Sequence, residues 1–502
     1  MRLADIIPNL HPLQTRGVRE VEIGALYYDS RRVTAGGLFF ALPGALTDGH
    51  RFIADAVESG AAAVVSEREM NLPETVAAIR VRDARHALAE AARTFYHDPT
   101  AAMTVVGITG TNGKTTISYL VESLLAAAGR RPAVTGTVAY RFADRCYPAP
   151  NTTPESLDLQ RLADQFRQAG SDSLVMEVSS HALDQQRVAG VSFDVAVFTN
   201  LTPEHLDYHR DMEGYFAAKS RLFRSTDGGK APLAVINVDD PYGARLAGEL
   251  PEAITCGRDV DARVRLLSSR VGLEGIQARV VTPHGELQLR SPLLGHFNLS
   301  NLLCAAAVGV ALDLTKEQIE SGLADVSRVP GRLEPVANNL GAHLLVDYAH
   351  TGDALEKALE TLKSLQPERL ICLFGCGGDR DRGKRPVMGE VAGRLADLAI
   401  VSSDNPRTED PQAIIADILP GLERVDRQRI DPDQAAAGAS GYLVIPDRGK
   451  AIDVAVKLLK TGDMLLVAGK GHEDYQIVGR QKIHFDDREQ LLAALARRKE
   501  QP

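Results

Sequence analysis

The 502-residue chain has no tryptophan, and aromatic residues make up 5% of it. The missing tryptophan carries no structural implication. Cysteine is scarce: Cys146, Cys256, Cys304, Cys372 and Cys376 form an odd, scattered set. That excludes a disulfide framework and reads as reduced thiols in a cytoplasm. Cys372 and Cys376 stand close together, but no second pair or histidine cluster accompanies them, which argues against zinc. No apolar run approaches the ~18–20 residues of a membrane span. Met1 to Leu10 lacks the basic start and apolar stretch of a secretory signal. Basic charge is not in excess: 57 Lys and Arg face 66 Asp and Glu, a net charge of −9 without a long like-charge block. This speaks against a nucleic-acid partner and for a soluble, monodisperse enzyme, with a monomer expected.

What is present is ordinary for a globular chain, with 44% hydrophobic and 25% charged residues. The length suggests about three domains at ~150 residues each. The stretch that organises the rest is Gly110-Thr111-Asn112-Gly113-Lys114-Thr115-Thr116. Before it, Thr104 to Thr109 is short, apolar and β-branched, which predicts a buried strand. After it, Ile117 to Ala128 is apolar at helical spacing and closes at Gly129, which predicts a helix. A strand, a glycine-rich turn and a helix N-terminus make a phosphate cradle, because backbone N–H groups and the helix dipole converge on the anion. Lys114 adds a mobile positive charge, and the Thr115 hydroxyl can hold magnesium. The general phosphate-loop pattern would want glycine where Ile108 stands.

Residues 1–97 read as a small α/β domain, with a strand over Gly36 to Leu42, a helix from about Phe52 to Ser59 and a strand over Gly60 to Val65. Asp98-Pro99 marks a boundary. From 98 to 330, strands alternate with helices, the pattern of a mostly parallel sheet. Leu174 to Met176, Val195 to Phe198 and Leu233 to Ile236 are strands that run into polar residues, as ligand-binding α/β sheets do. Glu177 and His205 each follow such a strand, and with Thr115 they can surround magnesium beside nucleotide phosphates. Asn151-Thr152-Thr153-Pro154 is a turn and helix-start signal. His296 to Asn301 opens an apolar helix, where Asn298 caps it or touches adenine. From 331 to 502 the α/β pattern repeats. Strands at Leu344 to His350, Leu370 to Phe374, Leu398 to Val401 and Met464 to Ala468 deliver charged residues to one rim.

The set GTNGKTT (110–116), EVSSH (177–181), TNLTPEHLDYH (199–209), GHFNLSN (295–301), PGRLE (330–334), DYAHT (347–351) and DNPR (404–407) resembles the Mur ligases over nearly the whole chain. The resemblance implies a small N-terminal α/β domain (1–97) that holds the UDP end of the substrate. It implies a central ATPase with a mostly parallel sheet (98–330) and a Rossmann-like C-terminal domain (331–502) that brings the amino acid. Tyr28, Ser30 and Ala45, Leu46 and Thr47 fall where relatives contact the uridine nucleotide. Asn151, Thr152, Thr153, Ser179, Gln185 and Arg187 fall at the muramoyl-dipeptide. Asn298, Arg332 and Asp347 resemble base and ribose contacts. Lys219 matches a lysine that relatives carry as a carbamate. A neutral lysine amine takes up CO₂ to become an anion that can bridge to a second magnesium. Departures are small: Gly352 replaces a common proline, and Tyr28 a common aliphatic residue.

The implied reaction is ATP-dependent amide formation through an acyl phosphate, with Lys114 and magnesium offsetting phosphoryl charge. The implied partners are ATP, UDP-N-acetylmuramoyl-dipeptide and meso-diaminopimelate. The amino acid is read from Asp404-Asn405-Pro406-Arg407. Diaminopimelate carries a far carboxylate that lysine lacks, and an arginine fork suits it. Arg407, with Arg380, can supply that fork, while Glu473 and Gly469 complete the pocket and Glu473 takes the far ammonium. The rivals are a lysine-adding ligase, a folylpolyglutamate synthetase and a nucleotide-binding regulator without catalysis. The first domain and DNPR disfavour the folate enzyme, and the joint presence of Lys114, Glu177, His205 and Lys219 disfavours the regulator.

Overall fold

The computed structural model describes residues 1–44, 47–224 and 231–499. Ala45 and Leu46, expected at the uridine site, lie outside these residues. Among the described residues there are three large sheets and one two-stranded ribbon, and strands alternate with helices. The expected mixed α/β class with mostly parallel sheets is what the chain forms.

The first sheet runs Gln14–Arg16, Ala77–Arg80, Ala61–Ser66, Gly37–Phe40, Ala25–Tyr27; the first pair is antiparallel and the rest parallel. Gly37–Phe40 is buried along its whole length, as a strand covered on both faces must be. The strand expected from Gly36 to Leu42 is thus shorter. The expected helix is Ile53–Glu58, entered through a 3₁₀ turn at Gly49–Phe52 whose N-terminus Asp48 caps.

In the second sheet the parallel order is Ile254–Gly257, Leu233–Asn237, Val195–Phe198, Thr104–Thr109, Ser173–Glu177, Pro132–Thr135. Thr104–Thr109 therefore lies between the strands that lead to Glu177 and to the 199–209 loop. Parallel neighbours end on the same edge, so three polar segments far apart in sequence emerge side by side. The helix after the glycine turn is Lys114–Ala127, beginning three residues earlier than its apolar periodicity. The turn at Asn151 to Pro154 does not start a helix with a polar cap and an early proline. The helix is Ser156–Gln168, capped by Glu155, whose carboxylate accepts from the Ser156 N–H at 3.1 Å. The Thr153 hydroxyl is used elsewhere, as described below.

The third sheet runs Glu334–Val336, His343–Asp347, Met464–Ala468, Leu370–Phe374, Leu398–Val401, Gly441–Val444, with the first pair antiparallel and the rest parallel. The central strands are wholly buried apolar runs, rich in Leu, Ile and Val. Their shared edge again carries the polar segments.

The chain divides into two compact units: Met1–Leu267 with Arg279–Leu287 and Ser300–Leu323, and Ser268–Ala278 with Gln288–Leu299 and Ala324–Pro502. The first unit holds the first sheet and the parallel strands of the second. The two are joined there by the Tyr28 hydroxyl donating to Asp158 and by an ion pair of Arg85 with Glu155 at 3.2 Å. Leu157 completes the first sheet's core.

In the second unit a fully buried pair, Arg448 and Asp487 at 2.7 Å, braces the polar edge. Arg448 Nη2 also donates to the Ala468 carbonyl at 3.0 Å, just before Gly469. Breaking a buried pair leaves one charge uncompensated, a cost of about 3–5 kcal/mol. Asp487→Asn should lose about that much unfolding free energy in a urea titration; a loss below about 1 kcal/mol would show that the pair does not brace the edge.

Candidate active site

Two glycines make the turn at 110–113 possible. Gly113 has φ +88°, and a Cβ there would stand 2.4 Å from Asn301 Oδ1. Gly110 has φ +147°, and its Cβ would meet Thr199 Oγ1 at 1.8 Å. The backbone thus approaches the 199–202 segment too closely for any side chain. Hydrogen bonds knit the two segments: Thr111 N–H to the Asn200 carbonyl (2.9 Å), Asn112 N–H to Asn200 Oδ1 (2.9 Å), and Thr199 Oγ1 to the Asn112 carbonyl (2.6 Å). Thr115 and Thr116 are buried on the first turn of the helix. Lys114 Nζ donates to the Gly110 and Thr111 carbonyls, both at 2.9 Å.

Glu177, 1% exposed, lies at the end of the neighbouring strand. It accepts from Thr115 Oγ1 at 3.0 Å and from the N–H and Oγ1 of Thr137, both at 2.9 Å. A buried carboxylate needs such partners. Sequence reasoning missed Thr137, which follows Gly136. A Cβ at Gly136 would stand 2.3 Å from Glu177 Oε1, and this is the signal in the Gly-Thr pair. Thr115 and Glu177 offer hard oxygen donors beside a phosphate cradle, a set that fits magnesium. Among the described residues no three His, Cys, Asp or Glu side chains are grouped to hold a metal.

Lys219, 1% exposed, donates to the Gly110 carbonyl at 2.8 Å and lies 4.6 Å from the Tyr215 ring centre. Two amines, Lys114 and Lys219, thus share one carbonyl. Burial, and then the charge of Lys114, push Lys219 well below the usual lysine value. His205 belongs to an adjoining aromatic cluster. Its backbone is left-handed, φ +57°, and its ring is edge-on to His181 at 4.9 Å, which in turn lies 5.4 Å from His209.

The expected dipeptide residues come together. Thr153 Oγ1 donates to the Glu177 carbonyl (2.9 Å) and accepts from the Ser179 N–H (3.0 Å). Arg187 donates to the Thr153 carbonyl (3.3 Å) and to Gln185 Oε1 (2.8 Å). Thr152 Oγ1 lies 3.1 Å from Thr137 Oγ1, and the Asn151 carbonyl accepts from Tyr140 at 2.6 Å. Of the expected uridine residues, Ser30 is buried in a 3₁₀ turn, Tyr28 is half-buried and Thr47 is exposed.

In the second unit, Asp347 accepts from the Leu333 N–H (2.7 Å) and the Ala349 N–H (2.8 Å). Burial raises its carboxyl, against the pull of Arg332 and these bonds. Arg332 lies over the Tyr348 ring at 5.0 Å. Asn298 sits inside the helix His296–Ala311 and donates to the Leu294 carbonyl at 2.8 Å. Asn405 Nδ2 donates to Glu473 Oε2 at 2.8 Å. Arg407, with φ +52°, places Nη1 on the Gly378 carbonyl at 2.8 Å. Arg380 is exposed and donates to its neighbour Asp379. Both arginines flank Gly377, where a Cβ would lie 2.9 Å from Arg407 Nη1 and 3.8 Å from Arg380 Cγ. Gly469, φ +116°, passes Asp404 just as closely. Lys470, fully buried among Asp404, Asn405 and Glu473, was not anticipated. The signal available was a lysine two residues after an apolar strand.

A phosphate loop at the edge of a parallel sheet, with a buried carboxylate and lysine against it, defines a nucleotide-dependent enzyme class. The family profiles narrow it. The Mur ligase family catalytic domain matches residues 22–96, the Mur ligase middle domain 108–309, and the Mur ligase glutamate ligase domain 331–471. The chain belongs to the Mur ligase family and is an ATP-dependent, amide-bond-forming ligase. It is 52% identical over 501 residues to the UDP-N-acetylmuramoyl-L-alanyl-D-glutamate--2,6-diaminopimelate ligase of Geobacter metallireducens, covering 98% of each chain. The enzyme of that name from Gloeobacter violaceus is 45% identical, with 99% of each chain covered. A solved structure of a ligase of that name superposes with a TM-score of 0.70 at 32% identity, covering 99% of each chain. The ADP complex of MurF ligase from Thermotoga maritima shares the fold, with a TM-score of 0.62 at 20% identity over 95% of this chain and 98% of that one.

The histidine cluster sets a pH dependence. Burial, then the neighbouring His205 and His209, lower His181 from 6.5 to about 4. As pH falls below 6.5 the unfolded chain takes up a proton that the folded chain refuses. This contribution to stability is complete above pH 6.5 and is lost between there and about 4. An NMR titration should place the His181 midpoint near 4, and His181→Phe should flatten the acid side of the stability profile. A midpoint at the ordinary 6.5 would refute this.

Proposed function

We propose that the chain joins meso-diaminopimelate to UDP-N-acetylmuramoyl-L-alanyl-D-glutamate, using ATP and releasing ADP and phosphate. The product is a cytoplasmic peptidoglycan precursor. Three domains carry the work, at 1–97, 98–330 and 331–502; the family matches at 22–96, 108–309 and 331–471 lie within these limits.

The phosphate loop, Gly110 to Thr116, cradles the ATP phosphates, and Asn298, Arg332 and Asp347 hold the base and ribose. Tyr28, Ser30 and Thr47, with Ala45 and Leu46, take the uridine nucleotide. Asn151, Thr152, Thr153, Ser179, Gln185 and Arg187 take the muramoyl-dipeptide. Thr115 and Glu177 would hold magnesium, with His205 and a carbamate on Lys219 completing the metal-binding set. When bound, the metal neutralises charge on phosphoryl oxygens.

The substrate carboxylate attacks the γ-phosphorus and ADP leaves, giving an acyl phosphate. Lys114 offsets the charge that develops on the transferred group. Activation is required because a carboxylate is a poor electrophile. The amine of the amino acid then attacks the acyl carbon, and phosphate departs. Fixed placement of the carboxylate, by Arg187 among others, supplies much of the rate.

The observation that carries the choice of amino acid is the pairing of an arginine and a carboxylate on one edge. Arg407 is anchored through Nη1 on Gly378, and Glu473 is oriented by Asn405. A guanidinium has five donors, so the anchored fork retains donors for a carboxylate. Lysine would leave that fork desolvated and unpaired.

With diaminopimelate and lysine in competition, the product mass should be that of the diaminopimelate adduct. Arg407→Ala should lower kcat/KM for diaminopimelate by about 10²-fold or more and erase the preference over lysine; unchanged turnover and preference would overturn the assignment. The carbamate has its own test. With ¹³C-bicarbonate, the enzyme should show a bound carbamate carbon resonance that Lys219→Ala lacks. A spectrum without that resonance would remove Lys219 from the metal-binding set.

A further inference from the structure

Lys470 is a buried charge that this mechanism leaves unused. Its side chain is fully buried, with Nζ 3.6 Å from Asp404 Oδ1, 3.5 Å from Glu473 Oε2 and 3.4 Å from Asn405 Oδ1. Burying an ammonium is costly, and apolar residues in place of a whole buried ion pair are often no worse for stability, whereas removing Lys470 alone would leave Asp404 and Glu473 uncompensated. Stability alone therefore does not explain why this charged group is kept. Its neighbours give a better reason.

Asn405 is an amide whose two ends must be told apart. Its Oδ1 accepts from the Ile477 N–H at 2.9 Å and from Lys470, and its Nδ2 donates to Glu473 Oε2. A lysine ammonium only donates. Placed against Oδ1, it forbids the flipped amide, in which two donors would face each other. The amide and Lys470 then both fall on Oε2 of Glu473, which leaves Oε1 as the oxygen offered to a ligand. Gln476 Nε2 donates to the Asp404 carbonyl at 2.5 Å and holds the same loop from the other side.

We propose that Lys470 is a positioning residue for the amino acid: it fixes the Asn405 amide and, through it, aims the Glu473 carboxylate at the far ammonium of diaminopimelate. This rests on the assignment of Glu473 to that ammonium. The electrostatics agree. Burial raises the Glu473 carboxyl, and Lys470 is the foremost of the groups that counter the rise. Without Lys470, Glu473 would hold its proton to higher pH and bind a cation less well.

The test compares diaminopimelate with 2-aminopimelate, which keeps both carboxylates but lacks the far ammonium. Wild type should prefer diaminopimelate. In Lys470→Met, KM for diaminopimelate should rise about tenfold or more, while KM for ATP stays within about twofold. The preference over 2-aminopimelate should shrink, and the acid limb of the KM profile should move to higher pH. Lys470→Arg keeps the charge, and with it the ion pairs, but not the single-point donor. It should retain the wild-type melting temperature and still raise KM at least about threefold. Lys470→Arg decides the matter if the Met variant fails to fold. Wild-type KM and preference in a folded variant, or an equal rise in KM for ATP, overturns the inference. If wild type itself does not distinguish the two amino acids, the assignment of Glu473 fails instead, and the proposal falls with it.

Discussion

A carboxylate buried beside a phosphate-binding loop must be satisfied on every side, and Glu177 meets that demand by tying three segments together. Its oxygens take hydrogen bonds from Thr115 on the loop's helix and from Thr137 on the next turn. Its own carbonyl receives the hydroxyl of Thr153. One residue thus links the end of its strand to the nucleotide loop through its side chain, and to the segment assigned to the acyl substrate through its backbone carbonyl. The cost of leaving such a group unpaired, roughly 1–3 kcal/mol per lost bond, makes the arrangement hard to loosen in parts. The rest of the first unit's site is built against it.

Lys219 sets the second constraint. Its amine and that of Lys114 converge on the Gly110 carbonyl, and burial disfavours a second positive charge there. Lys114 is half-buried, whereas Lys219 is sealed in. Two lysines in one place therefore differ in how readily they hold a charge, and burial makes the difference.

The second unit repeats the logic on another sheet. Adjacent parallel strands end together, so Asp347, Gly469, Gly375 and Ser402 begin their loops from one edge. Asn405 is the hub of that edge, joining Ile477, Lys470 and Glu473. Arg448 and Asp487 hold the edge from beneath.

Much of this was legible from residue order. Apolar β-branched runs such as Val195–Phe198, Leu370–Phe374, Leu398–Val401 and Met464–Ala468 are strands with the expected limits, because a strand buried on both faces leaves an unbroken signal. The glycine turn and its lysine were readable because only glycine tolerates those backbone angles at such close approach. By contrast, Asn151 to Pro154 carries a good local cap signal that tertiary bonding overrides, since Thr153 is worth more bridging Glu177 and Ser179 than capping a helix. Thr137 offers only the glycine before it, and Lys470 only its place after an apolar strand. What residue order determined on its own was the strand-and-turn grammar and the chemistry at each strand end. Which ends stand side by side, which threonine meets Glu177 and which lysines lose their water were decided by sheet order and burial. These are long-range contacts, and local sequence does not encode them.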